Sequence, residues 1–132
     1  MRVLLDTNIF LEVILEQADA TSAEAVLGSI ATNELFVSDF TIHSIGLLLF
    51  RRGRTEVFES IVQDLMAGGI SPLTVPWEHV SLIAEAARKF HLDFDDAYQY
   101  AVARLYDTEV VSFDGDFDRT DRGRKTPSQV VS

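Results

Sequence analysis

Two aspartates stand where short apolar runs end. Asp6 follows Val3-Leu4-Leu5, and Asp114 follows Val110-Val111-Ser112-Phe113. Both runs read as buried strands, and in an open parallel sheet the ligand crevice lies beyond the carboxyl ends of the strands. A carboxylate held there stays ionised at low cost only when positive charge joins it, and a divalent cation supplies that charge. The chain has no cysteine and only three scattered histidines, so thiolate sites and zinc-type spacings are absent. Oxygen atoms must hold any metal, and oxygen donors favour magnesium or manganese.

A third acidic group, Asp93, Asp95 and Asp96, opens an apolar stripe of Phe94, Ala97, Ala101, Val102 and Leu105. Acids in a first helical turn also complement the helix dipole and cap free amides, so a structural role fits this cluster as well as a functional one. With Asp93 as the cap, Asp96 becomes the third helical residue and lies beside the Ala97–Ala101 face, directed towards the sheet edge. Asp6 likewise fits a turn that leads into a helix capped by Asn8, and Asp114-Gly115-Asp116 fits a turn after a strand. All three positions can nevertheless border one crevice.

The elements that must position these acids alternate between strand-like and helix-like periods, which predicts one α/β sandwich domain over residues 1–132 with a mostly parallel sheet. After the first strand, Ile9, Phe10, Val13 and Ile14 keep a helical period. A second helix is expected over Ala20–Ala31 with Thr21 or Ser22 as cap, then a strand Leu35-Phe36-Val37. Ser38 or Asp39 caps a third helix that turns Ile42, Ile45, Leu48 and Leu49 inward and stops at Arg51-Arg52-Gly53-Arg54. A fourth covers Thr55–Met66, closed by Gly68-Gly69. Leu73-Thr74-Val75 reads as a third strand, and Pro76 suits the first turn of a helix over Trp77–Phe90. Another helix covers Phe94–Tyr106, Glu109–Ser112 is the fourth strand, and Val130-Val131, beyond Pro127, reads as an edge strand.

No apolar run approaches the ~20 residues that span a bilayer. Asp6, Asn8 and Glu12 interrupt any signal-peptide core at the amino end, so a cytoplasmic protein with no membrane segment is expected. The net charge of −10 argues against a broad, sequence-blind basic grip on nucleic acid. It does not exclude a nuclease, whose carboxylates add to the acidity themselves, and it suits a basic protein partner.

Leu4-Leu5-Asp6-Thr7-Asn8-Ile9-Phe10 resembles the opening motif of PIN domains, especially the VapC-type toxins of bacterial and archaeal toxin–antitoxin pairs. Asp95-Asp96-Ala97, with Ala101 and Ala103 downstream, resembles their central Asp-Ala helix. Val111-Ser112-Phe113-Asp114-Gly115-Asp116-Phe117 resembles their late motif, and the ordered trio covers nearly the whole chain. The resemblance implies a three-layer α/β/α sandwich and a metal-dependent endoribonuclease. Its carboxylates fall on Asp6, Asp96 and Asp114, with Asp116 as an accessory metal ligand. Cleaving an RNA phosphodiester needs an activated water and neutralised phosphoryl charge, and one or two Mg2+ or Mn2+ ions held by carboxylates supply both. Asn8 and Ser112, polar neighbours of the carboxylates, are candidates to hydrogen-bond a ligating oxygen or to contact substrate; turn capping is their other reading.

One position departs from the pattern. PIN domains usually carry a glutamate in a Thr-x-x-Glu setting on the helix after the second strand, and here Thr41-Ile42-His43-Ser44 puts serine there. Losing one of about four anionic ligands weakens affinity for a hard cation. A second reading therefore stays open: a catalytically weakened or silent PIN relative that serves as a protein- or RNA-binding module. Asp39, just past the second strand, is either a replacement carboxylate or a plain helix cap. An aspartyl-nucleophile phosphatase fits less well, since Asp6-Thr7-Asn8 lacks a second aspartate two residues on.

Among the cations, Arg119, Arg122, Arg124 and Lys125 follow the Asp114 turn, and Arg122 and Arg124 are candidates to guide an RNA backbone. Leu47, Phe50 and Phe58 exceed what one inward stripe needs on the third and fourth helices. A homodimer face or an antitoxin groove is expected there.

Overall fold

The computed structural model describes residues 1–131. Its strands are β1 (Arg2–Leu5), β2 (Glu34–Ser38), β3 (Pro72–Leu73) and β4 (Glu109–Val111). Its helices are α1 (Thr7–Ile14), α2 (Ala20–Leu27), α3 (Asp39–Arg51), α4 (Thr55–Ala67), α5 (Val80–Phe90), α6 (Phe94–Tyr106) and α7 (Pro127–Val130). The strands form one sheet in the order β3-β2-β1-β4, and every pairing is parallel, with Leu4 opposite Phe36 on one side and Val110 on the other. The chain winds outward from β1 through β2 to β3, then returns to the far side of β1 for β4. At such a reversal the connections leave in opposite directions, and a crevice opens past the strand ends.

Successive strand residues point to opposite faces, which sorts the core into two halves. Val3, Leu5, Leu35, Val37 and Val111 meet Ile9 and Phe10 of α1, Val26 of α2, Ile45 and Leu49 of α3 and Val130 of α7, with α4 packed on that cluster through Val57, Phe58 and Ile61. Leu4 and Val110 face the other way, onto Val102 and Ala103 of α6 and onto Phe117. Helix α5 covers α6 through Ile83 and Ala86, which pack with Ala97, Tyr100 and Ala101. The three-layer α/β/α arrangement is therefore present, and covering both sheet faces explains why the strands read as continuous apolar runs. Gly46 allows α3 and α4 to close, because a Cβ there would lie 3.2 Å from the Phe58 ring.

Several boundaries differ from the sequence expectation, each for a local reason. The first helix starts at Thr7 because Asp6, not Asn8, caps it, with Thr7 N donating to Asp6 Oδ1 at 2.8 Å. The second is capped at Asp19 rather than Thr21 or Ser22 and stops at Leu27, where Gly28 follows; Ser29 Oγ then bonds Val26 O at 2.6 Å and draws the chain into turns. The third strand shrinks to Pro72–Leu73. Val75 N donates to Tyr98 Oη at 3.1 Å instead of to a neighbouring strand. Pro76 precedes a 3-10 turn, Trp77–His79, and α5 begins only after it.

The expected Val130-Val131 edge strand is absent. Pro127 occupies the first position of α7, and Thr126 and Gln129 form a reciprocal capping box, a combination that favours helix over strand. Lys125 lies beside β4 instead, its N donating to Val110 O at 2.8 Å and its O accepting from Ser112 N at 3.1 Å. Among the described residues, no helix is long and apolar enough to cross a membrane.

Leu4 is completely buried between the sheet and α6. Leu4→Ala is expected to cost about 3 kcal/mol of unfolding free energy, read as a lower urea midpoint at unchanged slope.

Candidate functional site

Asp6 continues β1 past its paired length, its N bonded to Val111 O at 3.0 Å. It is only 7% exposed, so its carboxylate needs donors from the protein. Thr7 N at 2.8 Å and Gln99 Nε2 at 3.0 Å donate to Oδ1, and Ser112 Oγ donates to Oδ2 at 2.7 Å. Burial pushes the Asp6 pKa up; Ser112, Thr7 and Gln99 pull it back, and the charge of Asp114 raises it. The Ser112 hydroxyl is saturated. Its one hydrogen goes to Asp6, while Asn8 Nδ2 at 3.0 Å and Asp114 N at 2.9 Å donate to its oxygen. Asn8 Oδ1 accepts from Phe113 N at 3.3 Å. Asn8 and Ser112 thus brace the carboxylate and the turn behind Asp114.

Helix α6 opens with Asp93 in an extended conformation at its cap, which puts Asp95 and Asp96 in the first turn. Opposite it, a 3-10 turn over Gly115–Arg119 is capped by Asp114, whose Oδ1 accepts from Asp116 N at 2.8 Å. The two turns bring Asp96, Asp114 and Asp116 together, each with a carboxylate oxygen within 4.8 Å of the others. Asp96 is half-buried. Desolvation, then the charges of Asp114 and Asp6, a hydrogen bond with Asp114 and the charge of Asp116 push its pKa up to about 7. Among the described residues, Asp6, Asp96 and Asp114 have no ion pair, and Asp116 pairs only with Arg119 at 3.1 Å. An acidic cluster made solely of oxygen donors, and short of positive charge, matches the preference of a hard divalent cation.

Gln99 is a neighbour of the site that no motif announces. It is 1% exposed and lies three residues after Asp96, on the same side of α6. Its Nε2 bridges Asp6 to Thr41 Oγ1, the latter at 2.8 Å, and Thr41 meets Thr7 Oγ1 at 2.9 Å. A carboxylate only accepts, so the amide orientation is fixed. Gln99 Oε1 is then left buried with no donor among the described residues. A glutamine within an otherwise apolar stripe is the signal that was available, because a buried amide demands a partner.

The remaining candidates separate. Ser38 caps α3, its Oγ accepting from Thr41 N at 3.1 Å. Asp39 is absent from the acidic group; its Oδ1 accepts from Phe40 N at 2.9 Å and from Tyr98 Oη at 2.6 Å. Burial and that bond push the Tyr98 hydroxyl up to about 12. Ser44, one turn beyond Thr41, is half-buried and adds no charge. Arg124 lies beside the acidic turn, bonded to Ser112 O at 3.0 Å and to Asp118 at 3.2 Å. Arg122 is held at the opposite end of β4, by Asp107 and by Thr108 O, both at 3.1 Å.

The PIN domain family model matches residues 3–123. The chain belongs to the PIN domain family. Its fold is similar to that of FitAcB from Neisseria gonorrhoeae, at 22% identity and a TM-score of 0.73 over 96% of this chain and 98% of that one. FitAB bound to an IR36 DNA fragment is similar at 21% identity and a TM-score of 0.72, over 95% and 94%. VapBC2 from Rickettsia felis, bound to a DNA fragment from their promoter, is similar at 14% identity and a TM-score of 0.73, over 94% and 96%. At these identities the likeness is one of fold. No curated protein matches the sequence. PIN domains are generally nucleases.

In the cation-free PIN domain, Asp96 keeps its proton up to about pH 7, whereas the unfolded chain releases it near pH 4. The folded state holds more protons across that window, so this group's contribution to stability falls as pH rises from about 4 to about 7 and is constant above. Asp96→Asn removes the charge. It is expected to raise stability at about pH 8 by about 1 kcal/mol, solvent screening of a half-buried group being discounted, with little change at about pH 3, below the carboxyl's unfolded pKa. Thermal melts in chelator read the difference; an equal effect at both pH values contradicts it.

Proposed function

We propose that this PIN domain is a divalent-cation-dependent endoribonuclease, acting in the cytoplasm as the toxin of a toxin–antitoxin pair and using Mg2+ or Mn2+. The observation that carries this reading is the convergence of Asp96, Asp114 and Asp116 within 4.8 Å, with the charge of Asp6 acting on Asp96, at the reversal of the sheet winding. Asp6, Asp96 and Asp114 are assigned as the catalytic and cation-holding carboxylates, and Asp116 as an accessory. When bound, such a cation supplies Lewis-acid chemistry, neutralising charge on the phosphoryl oxygens and making water nucleophilic.

The chain's own residues hold and orient. Asp6 is fixed by its three donors, so its one remaining lone pair, on Oδ2, keeps one direction. Ser112 and Asn8 keep the Asp114 turn seated against it; partly buried Asn8 is assigned to the substrate side of the site, whereas Ser112, fully buried and with every hydrogen-bonding position committed, supports the carboxylates and does not reach substrate. The Asp96 proton must leave before a cation is held there, so binding strengthens as pH rises towards about 7. Arg124, beside the turn, and Arg122, farther along, are assigned to the RNA backbone.

Ser44 favours one other reading, a silent or weakened relative that binds without cutting. Asp39 is tied to Tyr98 and stands outside the acidic group, so among the described residues it does not replace the missing glutamate. Manganese titration by calorimetry separates the two. Binding is expected in the wild type and about tenfold weaker in Asp6→Asn, Asp96→Asn and Asp114→Asn, and equal binding in all four proteins removes the assignment. Ser44→Glu is expected to tighten binding and raise RNA cleavage several-fold. A wild type that binds manganese and leaves RNA intact, while Ser44→Glu cuts, selects the silent reading.

The resemblance to VapC-type toxins and the fold shared with FitAB and VapBC2 support an antitoxin partner, and the net charge of −10 suits a basic one. A homodimer is proposed through α3 and α4. Leu47 and Phe50 are 46% and 57% exposed and, with Phe40, Phe58 and Phe94, line an open groove of about 740 Å3. Asp39 is the only acid among the described residues that line it, so two acidic chains meet there with little like-charge repulsion. Light scattering at micromolar concentration is expected to give a dimer, and a monomer for Leu47→Asp with Phe50→Asp; a monomeric wild type discards the dimer.

A further inference from the structure

We infer that this PIN domain has a second anion site on the flank of α5 and α6, which holds a phosphate of the RNA strand beyond the one being cut. This rests on the ribonuclease reading. A cavity of about 300 Å3 lies there, with Lys89, Arg104 and Arg122 on its wall and Glu85 and Asp121 as its acids. Three of the chain's 11 cationic residues thus share one cavity in a molecule of net charge −10. Lys89 and Arg104 are exposed and have no ion pair among the described residues. Arg122 is fixed by Asp107 and Thr108 O, while its buried Nε has no acceptor among the described residues. Asp121 is engaged by Tyr100 Oη at 2.6 Å, and that bond together with Lys89 holds its carboxyl below the ordinary range. Of the acids on the wall, only Glu85 has no hydrogen-bond or ion-pair partner among the described residues, and the three cations outnumber the two acids.

Two features favour a nucleic-acid phosphate over an acidic peptide. Phe90, half-buried, lines the same cavity with Lys89 Nζ 5.3 Å from its ring centroid, while the Tyr100 ring behind it is buried, and aromatic surface beside cations is how single strands are held. Position is the second. Tyr100 and Arg104 follow Asp96 by one and two turns on the same side of α6, about 6 and 12 Å along its axis. Neighbouring nucleotides of a strand whose scissile phosphate sits at the acidic cluster reach that far. A strongly acidic surface repels RNA elsewhere, so a local cationic flank answers how this chain can grip its substrate.

The test titrates a labelled single-stranded RNA of about 12 nucleotides by fluorescence anisotropy, in chelator and at low salt. The proteins are the wild type, Lys89→Gln with Arg104→Gln, and Arg51→Gln with Arg52→Gln as the charge-matched control. The Lys89/Arg104 double variant is expected to bind about tenfold more weakly, with a slope of log affinity against log salt shallower by about 1.4; the control is expected to match the wild type. Both substituted side chains are exposed, and a thermal melt verifies folding. Equal affinity and slope in all three proteins overturns the inference, as does poly-glutamate displacing the RNA as well as unlabelled RNA does, which assigns the cavity to an acidic protein. A wild type that cuts RNA with manganese while its binding ignores the double substitution loses this inference alone. One that neither binds nor cuts RNA loses the ribonuclease reading with it.

Discussion

A carboxylate can be buried at the end of a parallel strand only if donors from several elements converge on it, and Asp6 imposes that condition on the whole molecule. Its three hydrogen bonds come from α1, from α6 and from the segment after β4. Gln99 carries the connection on to Thr41 of α3. One charged group therefore fixes how both helical layers sit against the sheet. Removing a single donor would leave a buried carboxylate under-satisfied, which costs more than losing a hydrogen bond between neutral groups. The same tether sets the rotation of α6. With Gln99 held at Asp6, Asp96 three residues earlier is turned to the same crevice.

The crevice is consequently a place where electrostatic work is stored. Asp96 is brought against Asp114, Asp116 and Asp6 with no cation of the described chain pairing it, and Gln99 Oε1 adds an unmatched buried acceptor at about 1–3 kcal/mol. Local costs of this kind persist when the surrounding fold over-determines the geometry, and they gather at functional sites. Here the over-determination is visible in Ser112, whose one hydrogen and both lone pairs are all committed.

Much of this was legible in the sequence. Strands covered on both faces read as unbroken apolar runs, and an acid directly after such a run marks the crevice end; this is why Asp6 and Asp114 stood out. The parallel sheet and the helical periods followed from the same patterning. What failed depended on distant residues or on competing local signals. The length of β3 is decided by Tyr98, 23 residues from Val75. Gln99 was hidden because its partner Asp6 is 93 residues away. The Thr126-Pro127-Ser128-Gln129 capping signal was present, but the β-branched pair after it pointed to a strand. Arg122 and Arg124, two residues apart, go to opposite ends of β4, which loop composition cannot resolve.

The pairing of Lys125 with β4 has a bearing beyond the site. Without it the outer side of β4 would be bare, a row of amides and carbonyls ready to template another chain. Lys125 occupies that side with its own backbone. At the far side, β3 offers two residues, the first a proline with no N–H to give. Strand-by-strand polymerisation, a route from native sheets towards amyloid, is thus blocked at both margins, and self-association is left to the side chains of the helical layers.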